Sequence, residues 1–91
     1  MRIKEGHRLE QIGEHYVITK MEGEDRRSIL FALNETGAFL WNGLCRGMTQ
    51  EELIQAICAE YEALPEEEEE MRQDVEAFLK QLKGKEVLEE E

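Results

Sequence analysis

The pattern of apolar and polar positions divides the chain into a strand-forming first third and a helix-forming remainder. Arg8–Ile12 and His15–Lys20 are two strand candidates separated by a glycine-containing turn. A polar run over residues 22–27 precedes a third strand, Ser28–Leu33, which is apolar at nearly every position. Consecutive strands with short links favour an antiparallel meander.

The third strand is apolar on both of its faces. Strict alternation points Ile29, Phe31 and Leu33 one way and Leu30 and Ala32 the other. A strand of a small antiparallel sheet usually has one face in water. At the edge of the sheet, its unpaired backbone groups are available to a further strand. We therefore expect it to be both a core element and a docking edge for a peptide.

The first predicted helix follows this strand almost without a loop. Asn34 or Thr36 is suited to cap its first turn, and Gly47 is suited to end it. Phe39 falls opposite the inner stripe and either packs under the N-terminal arm or forms an exposed contact. The inner stripe comprises Gly37, Leu40, Trp41, Leu44 and Cys45.

Two more helices are predicted after it. Thr49 and Glu52 form a capping box that opens the second helix, whose apolar face carries Leu53, Ile54, Ile57, Cys58 and Tyr61. Pro65 is placed to start the third helix, and Gly84 to stop it, before a short extended piece at Val87-Leu88. The apolar stripe of the third helix comprises Met71, Val75, Phe78, Leu79 and Leu82.

The order of elements predicts an α+β fold that is winged-helix-like, with a three-stranded antiparallel sheet followed by three helices. At 91 residues the chain is expected to form a single domain over 1–91. Residues 1–7 carry no pattern and are expected to form a loose N-terminal arm. Residues 89–91 are expected to form an acidic tail.

The charge balance narrows the choice of partner. The chain has 22 acidic and 11 basic residues and a formal net charge of -11, which repels phosphate backbones and anionic membranes. The last helix of the helix-turn-helix outline begins with five glutamates, Glu66–Glu70, so a winged-helix transcription regulator is only a minor alternative. This run is either a solvated helix face or an attraction for a basic partner.

Catalytic and metal-binding patterns are not evident. His7 and His15 have no serine or cysteine at a telling spacing, and Ser28 is the only serine. Cys45 and Cys58 lack the paired spacing of a zinc site and are interpreted as core residues. The glycines are scattered singly. We therefore expect no enzyme activity, no metal and no cofactor. The N-terminus has no apolar run, and we expect a cytoplasmic protein.

Binding is the function that remains. The proposed site is a groove between the third strand and the last helix, which would form its second wall. The predicted peptide-binding residues are Ser28, Ile29, Leu30, Phe31, Ala32 and Leu33 of the strand and Met71, Asp74, Val75 and Phe78 of the helix.

The order of these motifs resembles the PqqD-like family over about Leu9 to Leu88. The resemblance is carried by a strand followed by residues 34–37, Leu40-Trp41, Gly47, Thr49 with residues 52–54, and Tyr61; later come Asp74-Val75, Phe78-Leu79 and Leu82. This family is the peptide-recognition domain, or RiPP recognition element, of pathways that modify ribosomally made peptides. Glu86 departs from the family pattern, which usually has glycine just before the final apolar pair.

The resemblance implies a non-catalytic peptide chaperone. Such a domain binds the leader segment of a precursor peptide as a strand beside its third strand, packed on its third helix, and presents it to a modifying enzyme, often a radical SAM enzyme. The alternative is a self-associating structural or regulatory module, a homodimer that pairs through the same edge strand.

Overall fold

Residues 1–89 are described by the computed structural model, and Glu90 and Glu91 of the predicted acidic tail lie outside these described residues. The strands are β1 (Arg2–Ile3), β2 (His7–Ile12), β3 (His15–Met21), β4 (Arg27–Leu33) and β5 (Leu88–Glu89). The helices are α1 (Glu35–Cys45), α2 (Gln50–Glu60) and α3 (Glu68–Gly84), and a 3₁₀ turn at Pro65–Glu67 precedes α3.

The three predicted strands form an antiparallel sheet in the order β2-β3-β4, with three helices after it. The α+β fold is therefore confirmed. The turn between β2 and β3 contains Gly13 at a φ of 63°, a left-handed conformation that glycine adopts readily. Since β3 is central, β4 lies at one edge of the sheet, as the docking hypothesis requires.

A β-bulge in β4 corrects the predicted alternation. Ile18 pairs with Phe31 but Thr19 pairs with Ile29, so Leu30 is an extra residue without a partner on β3. The extra residue reverses the side-chain alternation, so Ile29 lies on the opposite face of the sheet from Phe31 and Leu33. Phe31 and Leu33 pack against the core, whereas Ile29 is 62% exposed.

The N-terminus is not the loose arm that the sequence predicts. Arg2–Ile3 pairs antiparallel with Leu88–Glu89, and the Lys4 amide donates to the Val87 carbonyl at 2.9 Å. Ile3 also packs against the core. This apolar contact and the hydrogen bonds to β5 hold residues 2–3 in a strand, although the local sequence has no strand signal. The predicted extended piece near Val87-Leu88 is confirmed as β5, slightly shifted.

Helix α1 is capped by Asn34, whose side-chain Oδ1 accepts from the Gly37 amide at 2.8 Å. Trp41 is almost fully buried. The prediction of a buried Cys45 is wrong, because this thiol is exposed in the last turn. A Cβ at Gly43 would lie 2.6 Å from a Leu53 methyl, so α1 meets α2 on the Gly43 side.

The predicted capping box of α2 is confirmed, because Thr49 and Glu52 exchange side-chain and backbone bonds at 2.9 and 3.2 Å. Tyr61 is not part of the buried face of α2. It follows the helix as its C-cap and is 44% exposed. The core is therefore formed by Ile18 of the sheet, helix residues Leu40, Trp41, Leu44, Leu53, Ile54, Ile57, Val75, Phe78, Leu79 and Leu82, and Val87 and Leu88.

The glutamate run is divided between two elements. Glu66 and Glu67 lie in the 3₁₀ turn, and Glu68 begins α3. The Glu67 carboxylate accepts from the Leu64 amide at 2.9 Å, which fixes the entry to the helix. Arg72 of α3 donates two hydrogen bonds to the Glu51 carboxylate of α2, at 2.9 and 3.1 Å.

Candidate functional site

An open groove lies where the end of β4, the start of α1 and the middle of α3 converge. Its volume is about 400 Å³. The strand contributes Ala32 and Leu33, and the helix start contributes Asn34, Thr36, Gly37 and Leu40. The opposite wall is formed by Asp74, Ala77, Phe78 and Gln81 of α3. The groove therefore lies between the two elements that the sequence selects.

Four of the predicted peptide-binding residues line this groove, namely Ala32, Leu33, Asp74 and Phe78. Two of the predicted helix residues do not. Val75 is fully buried in the core, and Met71 is half-buried and packs against the core. These two side chains lie on the inner side of α3, so they support the wall from behind.

The remaining predicted strand residues lie earlier along β4 and are not part of the groove lining. Ile29 is 62% and Leu30 is 40% exposed, while Ser28 and Phe31 are half-buried. The ammonium of Lys85 lies 5.0 Å from the centre of the Phe31 ring, a distance at which a cation is attracted to an aromatic face. Lys85 therefore places a positive charge beside the middle of β4.

Sequence reasoning missed several groove residues. Ala77 and Gln81 follow Asp74 at helical spacing and lead on to Lys85. This stripe runs along α3 beside the buried stripe that contains Val75. Its one apolar member, Ala77, is small, so hydrophobic periodicity alone does not reveal the stripe. The spacing from Asp74 to Lys85 was the signal that could have found it.

Gly37 was predicted for the inner stripe of α1, and it also lies in the groove. A Cβ there would lie 3.2 Å from a Leu33 methyl and 3.3 Å from the Asn34 Oδ1. These distances are tighter than ordinary van der Waals contact. Glycine at this position therefore lets the helix start directly against the end of β4 while its amide serves the cap.

Beyond Arg27, which begins the strand, β4 is mostly apolar and uncharged. Within residues 1–89, β4 pairs only with β3, and no charged residue occurs from Ser28 to Leu33. The other edge strand, β2, carries Arg8 and Glu10. Charged residues on an edge strand discourage pairing with another chain. The two edges therefore differ, and β4 is the one suited to accept a strand.

A polar network on the outer face of the sheet holds the start of β4. The Thr19 hydroxyl donates to the Glu10 carboxylate at 2.6 Å and accepts from Arg27 Nε at 2.9 Å. Arg27 also donates to the Gly6 carbonyl at 2.8 Å. The Thr19 hydrogen bond, with smaller contributions from Arg8 and Arg27, holds the pKa of Glu10 below its ordinary value.

No cluster of three or more histidine, cysteine or acidic side chains that could hold a metal occurs in residues 1–89. The Cys45 residue is exposed, but neighbouring atoms partly desolvate its thiol and raise its pKa, which disfavours the reactive thiolate. His7 Nδ1 lies 3.0 Å from the Lys4 carbonyl. None of the helices in that part of the chain is long and apolar enough to cross a membrane.

Comparison with known proteins gave a family match and a structural match. The family model described as coenzyme PQQ synthesis protein D (PqqD) matches residues 16–88. A solved structure, TbiB1 in complex with the TbiA(beta) leader peptide, is similar with a TM-score of 0.76 and 28% sequence identity. The match covers 100% of this chain and 98% of that chain. No curated protein matches the chain at a significant level.

Proposed function

The chain belongs to the PqqD family, and from this premise we propose that it binds the leader segment of a ribosomally made precursor peptide. The family match includes β4 and α3, the two walls of the groove. The similar protein TbiB1 forms a complex with a leader peptide. The observation that carries the proposal is the free edge of β4, uncharged from Ser28 to Leu33, with an open groove between the end of this strand and α3.

The peptide binds by strand addition in this proposal. Its backbone pairs with the free edge of β4 over residues 28–33, and main-chain hydrogen bonds provide affinity. Alternate side chains of an added strand point towards α3, where Ala77 leaves room and Asp74 and Gln81 offer polar contacts. Phe78 is an apolar contact at the base of the groove. Val75 and Met71 act indirectly, by holding α3 in place.

The chain is proposed to be a non-catalytic chaperone. It holds the leader while a modifying enzyme, such as a radical SAM enzyme, acts on the rest of the precursor. It works in the cytoplasm, where precursor peptides are made. In this proposal the chain itself needs no cofactor, because its contribution is to bind and orient the substrate.

The test is an NMR titration of the labelled chain with leader segments of precursor peptides encoded beside this gene. We expect chemical-shift changes confined to residues 28–37 and 74–81. A leader that binds elsewhere, or no binding by any leader, contradicts the proposal.

A matched pair of variants tests the groove itself. Ala77→Phe fills the groove wall, whereas Ala59→Phe adds the same ring at an exposed position of α2. We expect Ala77→Phe to weaken leader binding at least tenfold in calorimetry and Ala59→Phe to leave it unchanged. Equal effects of the two substitutions would show that the groove is not the binding site.

Self-association through β4 is the alternative use of the same edge. Light scattering of the free chain separates the two, because a strand-paired dimer is the stable form without any peptide. A monomer of 10.7 kDa that binds the leader supports the chaperone. A dimer that no leader dissociates supports self-pairing.

A further inference from the structure

Three further apolar side chains are partly or largely exposed and do not line the groove. Tyr61 is 44% and Leu64 is 55% exposed, three positions apart in the connection between α2 and α3. Phe39 of α1 is half-buried, and its ring lies edge-on to that of Tyr61 with centroids 6.5 Å apart. We call these three residues the Tyr61 patch.

The patch is exposed although the backbone that carries it is ordered by hydrogen bonds. The amides of Tyr61 and Ala63 donate to Ile57 and Cys58 of α2, at 3.1 and 2.9 Å. The Leu64 amide is bound by the Glu67 carboxylate. The side chains of Tyr61 and Leu64 are therefore held at the surface. A pre-ordered aromatic and aliphatic surface loses little entropy when a partner covers it.

Most of the net negative charge lies in the part of the sequence that carries this patch. Residues 1–34 contain six acidic and six basic side chains, whereas residues 35–70 contain ten acidic side chains and a single basic one, Arg46. Glu62 is the neighbour of Tyr61, Glu35 lies one helical turn before Phe39, and Glu67 binds at Leu64. An apolar centre within an acidic surround is complementary to an apolar side chain within a basic surround.

We infer that the Tyr61 patch is the docking site for the modifying enzyme, through an enzyme surface rich in lysine and arginine around an exposed apolar side chain. A second copy of this chain is disfavoured as the occupant, because two strongly acidic surfaces would repel each other. The identification of the basic partner as the modifying enzyme rests on the proposed function. The existence of this exposed surface does not depend on it.

The position of the patch allows simultaneous binding of peptide and enzyme. The patch shares no residue with the groove, where α1 contributes Gly37 and Leu40. Phe39 lies between these two in sequence, so it projects from a different side of the helix. The enzyme is therefore held without occupying the edge of β4.

The test is calorimetry of the full chain with the purified modifying enzyme encoded beside this gene, at low and at moderate salt. Leu64→Ser and Tyr61→Ser remove the apolar centre. Ile12→Ser is the matched control, because Ile12 on β2 is 53% exposed. We expect each patch variant to weaken enzyme binding at least tenfold, the control to have no effect, and wild-type affinity to fall as salt rises.

Leader binding is measured for the same variants to separate the two proposals. Unchanged leader affinity together with lost enzyme affinity supports the patch. Wild-type enzyme affinity in both patch variants, or no enzyme binding at all, overturns the inference. Enzyme binding that depends on the patch in a chain that binds no leader overturns the proposed function and leaves this surface standing.

Discussion

At the scale of single residues, Glu86 occupies a backbone position that suits glycine. Its φ is 59°, in the left-handed region that residues with a Cβ adopt only at a steric cost. The Val87 amide that follows donates to the Leu82 carbonyl at 3.1 Å. The departure from the family pattern at Glu86 therefore leaves the helix end intact. Its consequence is a strained residue.

Glu86→Gly is expected to raise the free energy of unfolding by about 0.5–1 kcal/mol, because glycine adopts this conformation without the steric penalty. Chemical denaturation measures the change. Glu76→Gly removes the same charge from an exposed position inside α3 and is expected to lower stability by about 1 kcal/mol. A loss of stability in Glu86→Gly contradicts the interpretation.

At the scale of elements, α1 and α2 pack closely because a glycine lies at their contact. Gly43 of α1 faces Leu53 of α2, and a Cβ there would lie 2.6 Å from a Leu53 methyl and 3.1 Å from the Met48 sulfur. Leu53 is fully buried, so it has little freedom to move aside. The position of α1 against α2, and with it the start of α1 that lines the groove, depends on this glycine.

Gly43→Ala is expected to lower the free energy of unfolding by about 1–2 kcal/mol, because the overlap outweighs the better helix propensity of alanine. Gly84→Ala is the control, since a Cβ at the end of α3 meets no atom within 4 Å. This control is expected to be neutral or slightly stabilising. Equal stability of the two variants in thermal unfolding argues against close packing at Gly43.

Glu10, Thr19 and Arg27 form a network of hydrogen bonds and ion pairs across the sheet. The pKa of Glu10 in the folded chain lies below its ordinary value of about 4.5. The charged form is therefore favoured by folding. Its contribution to stability is present above the unfolded pKa and is lost as pH falls through the folded pKa.

Glu10→Gln is accordingly expected to destabilise the chain at neutral pH and to have a smaller effect in acid, below the folded pKa. Denaturation curves over a pH series measure the difference from wild type. Glu14→Gln removes an equivalent charge from the turn between β2 and β3 and is the control, with a small effect on stability expected. A difference that stays constant with pH would exclude the charged Glu10 as its source.

At the scale of the whole molecule, the acidic residues are unevenly distributed along the chain. The first 34 residues are balanced in charge, and the acidic excess lies mainly in residues 35–70. The exposed uncharged edge of β4 and the acidic helical side therefore present different surfaces. Self-repulsion among the carboxylates opposes the folded state.

Raising NaCl from low to physiological concentration is expected to raise the Tm, because salt screens this repulsion. The double variant Glu66→Gln/Glu70→Gln removes two exposed charges without touching Glu67, the partner of the Leu64 amide. Its Tm should respond less to salt. Scanning calorimetry measures the Tm of both chains over the salt series. A wild-type Tm that falls as salt rises contradicts self-repulsion among the carboxylates.

Much of the fold follows from local sequence signals. Each predicted strand is confirmed within one residue at each end, and the caps at Asn34 and Thr49 are confirmed because their polar side chains directly satisfy exposed helix amides. The β1–β5 pairing escaped prediction because its strands are two residues long and come from opposite ends of the chain. The pairing depends on packing of Ile3 and Leu88 in the core, which local sequence does not reveal.

The candidate site was predicted less completely. The edge of β4 and the choice of α3 as second wall follow from periodicity and order. Periodicity alone does not say which side of α3 faces the groove, so Val75 was selected although it is buried, and Ala77 and Gln81 were not. Leu30 forms a bulge that alternation alone does not reveal, and this bulge exposes Ile29.

Local sequence alone specified the three strands of the main sheet, the three helices that follow and the helix caps, because these depend on neighbours a few positions apart. The tertiary structure decided which side chains meet. The groove, the bulge in β4, the β1–β5 ladder and the Phe39–Tyr61 contact join residues distant in the chain. Their positions depend on how the helices pack against the sheet, and local periodicity does not encode that geometry.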